Sequence, residues 1–157
     1  MKHTQGRLVI TITMANVIDA GNRRIWRALT KPEELVGWDE HILAPVEERA
    51  CYPVAGTPMR WRYRLGSVQV VLCEKPLEVV APSRLRSELQ IGSLRYEQTI
   101  SLRAESESRT RVSMREVAEN SIPLIGDEVN RFAVRTMMSE RIDEALQALR
   151  AWCENDP

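Results

Sequence analysis

Residues 126–153 read GDEVNRFAVRTMMSERIDEALQALRAWC, and this stretch decides the fold. It has no proline and no glycine after its first residue, and its apolar side chains recur every three or four positions, as on a helix face. The pattern predicts one long helix that buries a different face in each half. The first half carries Val129, Phe132, Ala133, Thr136 and Met137, and the second carries Met138, Ile142, Ala145, Leu146, Leu149 and Cys153.

Most of the remaining chain shows the period-two alternation of β-strands. Residues 8–14 alternate in this way, and between residues 42 and 120 similar patterns are separated by turn-forming stretches such as Gly66-Ser67 and Gly92-Ser93. Each of these stretches has one apolar and one polar face. The spacing predicts about six further antiparallel strands joined as hairpins.

Two short helices are predicted between the first strand and the others. Ile25 and Leu29 lie on one helical face after Asn22, which we take as the N-cap of the first helix. Residues 30–33 read TKPE, a capping-box pattern with an early proline, and this predicts a second helix over residues 31–38.

The order of elements predicts an α+β fold. A sheet with one apolar face must be covered, and the C-terminal helix is the only predicted element long enough to do so. We therefore expect a single domain over residues 1–157, in which a curved antiparallel sheet of about seven strands wraps around the helix.

Composition excludes several classes of function. The 22 basic and 22 acidic residues cancel, which argues against nucleic acid or an anionic membrane as a partner. The three cysteines are far apart and form no metal-binding or redox motif, and no nucleotide-binding or hydrolase motif occurs. With no signal peptide or membrane-spanning segment in the sequence, we expect a soluble cytoplasmic protein without a metal or cofactor.

Two stretches carry a resemblance to a known family. Residues 17–20 (VIDA), 25–30 (IWRALT) and Pro32, Glu33, Leu35 and Trp38 resemble the opening of START-related, or SRPBCC, proteins, and the long closing helix is the other half of the match. This superfamily has the helix-grip fold, shared with birch-pollen allergens and the polyketide cyclase and dehydrase group. Gly21-Asn22 and Asp39 depart from its usual pattern, and so the subfamily stays open.

The resemblance implies a cavity between sheet and helix that holds an apolar or aromatic small molecule. It implies no reaction, because the superfamily includes carriers, sensors, cyclases, hydrolase-like enzymes and co-chaperones. The side chains expected to line the cavity are Trp61, Tyr63, Leu85, Leu89, Tyr96, Gln98, Ile100, Met114 and Glu116 from the sheet and Phe132, Thr136 and Met137 from the helix.

Among these, Tyr96, Gln98 and Glu116 are the polar candidates for fixing a ligand. Glu116 is also a weak candidate for a general acid or base, since burial would raise its pKa. Two alternatives stay open. The three groups could instead bond to each other, to the backbone or to water, or Glu116 could pair with an arginine in solvent.

Two further clusters of polar residues are better explained by ordinary surface structure than by a functional site. Asp39, Glu40 and His41 suggest acid–base or metal chemistry, but their spacing favours a solvated loop. The arginine rows on the polar strand faces, such as Arg60, Arg62 and Arg64, favour a salt-bridged surface because acidic residues balance them.

The sequence therefore favours a carrier or sensor that binds a hydrophobic small molecule. A polyketide cyclase/dehydrase-like enzyme acting in the same cavity is the first alternative, with Glu116 or Tyr96 moving a proton. A co-chaperone-like protein-interaction module is the second, and the sequence leaves homodimer formation open.

Overall fold

The computed structural model describes residues 8–48, 51–120 and 127–155, and all of their side chains except those of residues 8, 119, 120 and 127–131. None of the helices described is both long and apolar enough to cross a membrane. The elements are β1 (Leu8–Ile18), α1 (Asn22–Thr30), α2 (Pro32–Trp38), β2 (Ile42–Pro45), β3 (Met59–Leu65), β4 (Val68–Val80), β5 (Arg84–Ile91), β6 (Leu94–Ser106), β7 (Arg109–Asn120) and α3 (Asp127–Glu154).

The seven strands form one antiparallel sheet with the order β1-β7-β6-β5-β4-β3-β2. Strands β3 to β7 pair as successive hairpins, while β1 pairs with β7, from Leu8 opposite Asn120 to Ile18 opposite Thr110. Gly66 and Gly92 take positive φ values of 62° and 57° in two of the tight turns, a conformation that suits glycine. The predicted helix-grip architecture is confirmed.

The two short helices are confirmed, but their predicted caps are wrong. Asn22 is the first residue of α1 and Gly21 is its N-cap, while Lys31 is the N-cap of α2, and neither helix has a side-chain cap bond. The Thr30 hydroxyl instead donates to the Trp26 carbonyl oxygen at 2.7 Å, within its own helix. The hydroxyl is thereby turned away from the amides it was expected to cap.

Helix α3 packs against β1, β7 and α1 and covers the apolar face of the sheet. The buried residues predicted for its second half are confirmed, since Met138, Ile142 and Leu149 are all less than a tenth exposed. Trp38, at the end of α2, is buried beside this layer and donates from Nε1 to the Ala28 carbonyl oxygen at 2.8 Å. The core thus joins the sheet to all three helices.

The predicted change of face along α3 is wrong for the side chains that the structure describes in its first half. Phe132 is 73% exposed, and Thr136 is exposed as well. Val134 packs against the core instead, four residues before Met138 and eight before Ile142. Val134, Met138 and Ile142 therefore lie on one continuous apolar stripe along the helix, and Phe132 and Thr136 lie off that stripe. The side chain of Val129 lies outside the described part.

Candidate ligand cavity

An internal cavity of about 90 Å³ lies between the concave face of the sheet and α3. All nine sheet residues predicted to point inward line it, on β3, β5, β6 and β7. They lie there because alternate residues of a strand share a face, so that Trp61 and Tyr63, for example, both point into the molecule. Its other lining residues are Leu29, Leu35, Trp38, Asp39, Ile42, Tyr52, Leu72, Glu74, Arg141 and Ala145.

The helix residues predicted for this site behave differently. Phe132 and Thr136 do not line the cavity, because their side chains lie on the solvent side of α3. Met137 lines a second cavity of about 30 Å³, together with Val134 and Met138. The two cavities share Tyr96, Glu116 and Arg141 in their walls, so these three side chains stand between them.

Glu74 on β4 forms a polar cluster that the sequence analysis did not predict. Its carboxylate accepts hydrogen bonds from the Tyr52 hydroxyl at 2.8 Å, from Trp61 Nε1–H at 3.0 Å and from the Ser87 hydroxyl at 2.8 Å. Burial raises the pKa of Glu74, while the three hydrogen bonds act against that rise. The cluster fixes Trp61 in the wall, and Tyr52 packs edge-on against the same indole at 5.3 Å.

Glu116 on β7 lies in the interior, which excludes the alternative of a solvent-exposed pair with an arginine. It is 9% exposed and accepts a hydrogen bond from Gln98 Nε2 on the neighbouring strand at 3.0 Å. The alternative in which the polar groups bond to each other is therefore correct for this pair. Burial raises the pKa of Glu116 to about 7, so that it can both hold and release a proton near neutral pH.

Arg141 and Tyr63 face each other at the boundary of the cavity. The guanidinium carbon of Arg141 lies 4.8 Å from the centre of the Tyr63 ring, over its face. The buried Tyr63 hydroxyl and the buried Nε of Arg141 have no hydrogen-bond partner among the described residues. Burial lowers the pKa of Arg141, and the charges of Asp39 and Glu144 oppose this effect.

The stretch from Asp39 to His41 is only partly the solvated loop that was expected. The Asp39 side chain lines the cavity, accepts from the His41 backbone N–H at 3.0 Å and has a pKa raised by burial. His41 stacks on Tyr63, with the ring centres 6.0 Å apart. The side-chain atoms of Glu40, His41 and Glu144 that could bind a metal ion lie within 4.8 Å of one another. In the part of the chain described, these three residues form the group that could hold such an ion.

The polar face of the sheet carries the expected ion pairs. Arg86 on β5 pairs with Glu97 on β6 at 3.1 Å, Arg111 pairs with Glu105 at 3.2 Å, and Arg60 pairs with Glu47. The prediction of a salt-bridged surface is confirmed for Arg60 and Arg111, which belong to the predicted arginine rows. Such exposed pairs contribute little to stability and offer no uncompensated positive surface.

The curved seven-stranded sheet closed by α3 is a helix-grip fold. No protein-family model matches the sequence, and no curated protein matches it significantly. Solved structures do match: a START superfamily protein from Mycobacterium smegmatis superposes with a TM-score of 0.75 at 14% identity, covering 92% of this chain and 97% of that one.

Two other structures have the same architecture. Protein CV1439 from Chromobacterium violaceum matches with a TM-score of 0.71 at 20% identity, covering 93% of this chain and 99% of that one. The protein TTHA0849 from Thermus thermophilus matches with a TM-score of 0.69 at 24% identity, covering 92% and 97% of the two chains. At these identities the similarity establishes the fold and leaves the ligand to be argued from the site.

Proposed function

We propose that the protein binds a small hydrophobic or aromatic molecule in the cavity between the sheet and α3, as a carrier or sensor. The observation that carries the proposal is a mostly apolar space between the sheet and α3 with a few polar groups at fixed positions, which is the usual form of a small-molecule site. We further propose a cytoplasmic location, which agrees with the exposed free thiols of Cys51 and Cys73, and we propose no nucleic-acid or membrane partner.

The volume limits what the cavity holds without a change of shape. A cavity of about 150 Å³ engineered in another protein binds benzene, whereas the cavity between the sheet and α3 measures about 90 Å³. An aromatic ligand must therefore displace wall side chains. Moving Tyr96, Glu116 or Arg141 would join the second cavity of about 30 Å³ to the first.

The direct test is native mass spectrometry of freshly purified protein, compared with the same sample after denaturation. A small molecule that is retained in the native state and released on unfolding is the expected result, and its mass gives its chemical class. In parallel, toluene and indole are expected to raise the thermal unfolding midpoint. If no mass is retained and neither probe has an effect, the proposed function is wrong, and a protein-interaction role using exposed Phe132 and Met137 becomes the better hypothesis.

Ala145→Leu is expected to weaken binding strongly while the protein stays folded. Ala145 lines the cavity from α3, and the larger side chain would occupy the space that a ligand needs. The affinity for toluene and indole should fall at least about tenfold, which corresponds to about 1.4 kcal/mol. Isothermal titration measures the affinity, and circular dichroism verifies the fold.

Ala133→Leu is the matched control for this variant, because it makes the same substitution on the exposed side of α3. It is expected to bind both probes as the wild type does. Equal loss of binding in the two variants, or full binding by Ala145→Leu, would place the ligand elsewhere.

A second candidate function is an enzyme of the polyketide cyclase/dehydrase type. The observation that favours it is Glu116, a carboxyl inside the cavity whose pKa of about 7 suits proton transfer. Any turnover of a polyketide-like substrate should then be lost in Glu116→Gln. Turnover that survives this change excludes Glu116 as the acid or base, and unchanged ligand affinity in the variant supports the carrier.

A further inference from the structure

Some polar side chains around the cavity have hydrogen-bond partners within the protein, and others do not. The three carboxyl groups in the wall each accept at least one hydrogen bond: Glu74 from three donors, Glu116 from Gln98 and Asp39 from the His41 amide. Two fully buried side-chain groups of the wall have no partner among the described residues, the hydroxyl of Tyr63 and Nε–H of Arg141, and each of them can donate a hydrogen bond. The wall therefore offers two unused donors, one of them on a positively charged group.

Leaving buried donors unpaired has a real cost. A buried polar group without a hydrogen bond loses its hydration and gains nothing in return, and over nine-tenths of such groups in folded proteins have partners. Tyr63 is 1% exposed, and so bulk water does not reach its hydroxyl in this conformation. A ligand that brings acceptor oxygens to these two donors would satisfy both.

The charge of Arg141 decides which kind of acceptor binds best. No carboxylate in the described part of the chain lies within 4.0 Å of its guanidinium nitrogens, although Asp39 and Glu144 act on it from farther away. A guanidinium group binds carboxylates through charge-assisted hydrogen bonds, which are roughly twice as strong as neutral ones. Because burial keeps Glu116 largely protonated below pH 7, this carboxyl repels an anion only weakly there.

We infer that the ligand is a small organic acid whose carboxylate accepts hydrogen bonds from Arg141 Nε and the Tyr63 hydroxyl, while its apolar part lies against Leu89, Ile100 and Met114. This inference rests on the proposed function and names the chemical class of the ligand. The same two donors reject a ligand whose polar end is a cationic amine, because an ammonium group has no acceptor to offer.

The test uses four probes that share a benzene ring and differ in the attached group: benzoate, benzamide, benzylamine and toluene. At pH 6, benzoate should bind about tenfold more tightly than benzamide, and benzylamine should bind most weakly, as measured by isothermal titration. Tyr63→Phe should weaken benzoate about five- to tenfold and Arg141→Met about ten- to a hundredfold, and toluene, which has no acceptor for either donor, should lose less affinity than benzoate in each variant.

The thermal unfolding midpoint distinguishes a ligand-binding role of the Tyr63 hydroxyl from a purely structural role. The Tyr63 hydroxyl has no partner to lose, so Tyr63→Phe should keep or raise the thermal unfolding midpoint while it weakens benzoate. If toluene, benzamide or benzylamine binds as tightly as benzoate, or if both variants bind benzoate normally, the inference is wrong and the proposed function stands. If none of the four probes binds, the inference is wrong, and the proposed function is wrong as well when native mass spectrometry retains no molecule.

Discussion

Trp61→Ala is expected to lower the free energy of unfolding by about 4 kcal/mol. The side chain is 1% exposed, and truncating a buried tryptophan removes its contacts and leaves a void. The substitution also removes the Nε1–H donor to Glu74 and the edge contact with Tyr52. Urea denaturation followed by circular dichroism measures the change.

Phe132→Ala is the control, because the sequence assigned both aromatic side chains to the cavity. Phe132 is 73% exposed, and its truncation should change the free energy of unfolding by less than about 0.5 kcal/mol. If Trp61→Ala does not fold, Trp61→Phe supplies the measurement, with an intermediate loss expected. Equal effects at positions 61 and 132 would contradict the orientation of α3 described above.

Glu116→Gln is expected to change how stability depends on pH. In the folded protein burial raises the pKa of Glu116 from 4.5 to about 7. Between these values the folded state binds a proton that the unfolded state has released, so the free energy of unfolding falls as pH rises from about 4.5 to 7. This loss amounts to about 3 kcal/mol, is absent below the window and is complete above it.

Glutamine cannot ionise and can still accept the hydrogen bond from Gln98. The free energy of unfolding of Glu116→Gln minus that of wild type should therefore increase by about 3 kcal/mol from pH 4 to pH 8. Urea denaturation at a series of pH values measures this difference. Asp39 and Glu74 titrate with raised pKa values in both proteins and cancel in the difference. The exposed Glu88→Gln on β5 serves as the control, and a parallel pH profile for Glu116→Gln and wild type would contradict the assignment.

The sheet half of the site could be predicted from sequence because a strand has a strict period of two. Once Trp61 is assigned inward, Tyr63 follows, and the same holds for Gln98 and Ile100 on β6. The face of a helix is less constrained. Its orientation about its own axis depends on tertiary contacts, and the apolar side chains of Phe132 and Met137 gave a plausible second stripe that packing does not use.

Glu74 and Arg141, the buried polar residues that the sequence did not predict, are marked by weaker sequence patterns. Strand β4 begins VQVVLCE, with apolar residues on both faces around Leu72, and so the alternation did not mark Glu74 as buried. Arg141 follows Met138 by three positions and precedes Ala145 by four, which places it on the buried face of α3. That spacing was available, but an arginine is ordinarily assigned to the surface.

The pairing of β1 with β7 has a consequence for how the chain folds. Strands β3 to β7 are neighbours in sequence and can pair one after another as hairpins. Strand β1 is synthesised before them, and its partner β7 is one of the last elements made. Closing this ladder brings together two strands that are far apart in sequence, and the entropic cost of doing so slows folding in proteins rich in such distant contacts. Until residues 109–120 leave the ribosome, the apolar side chains of β1 have no native strand beside them.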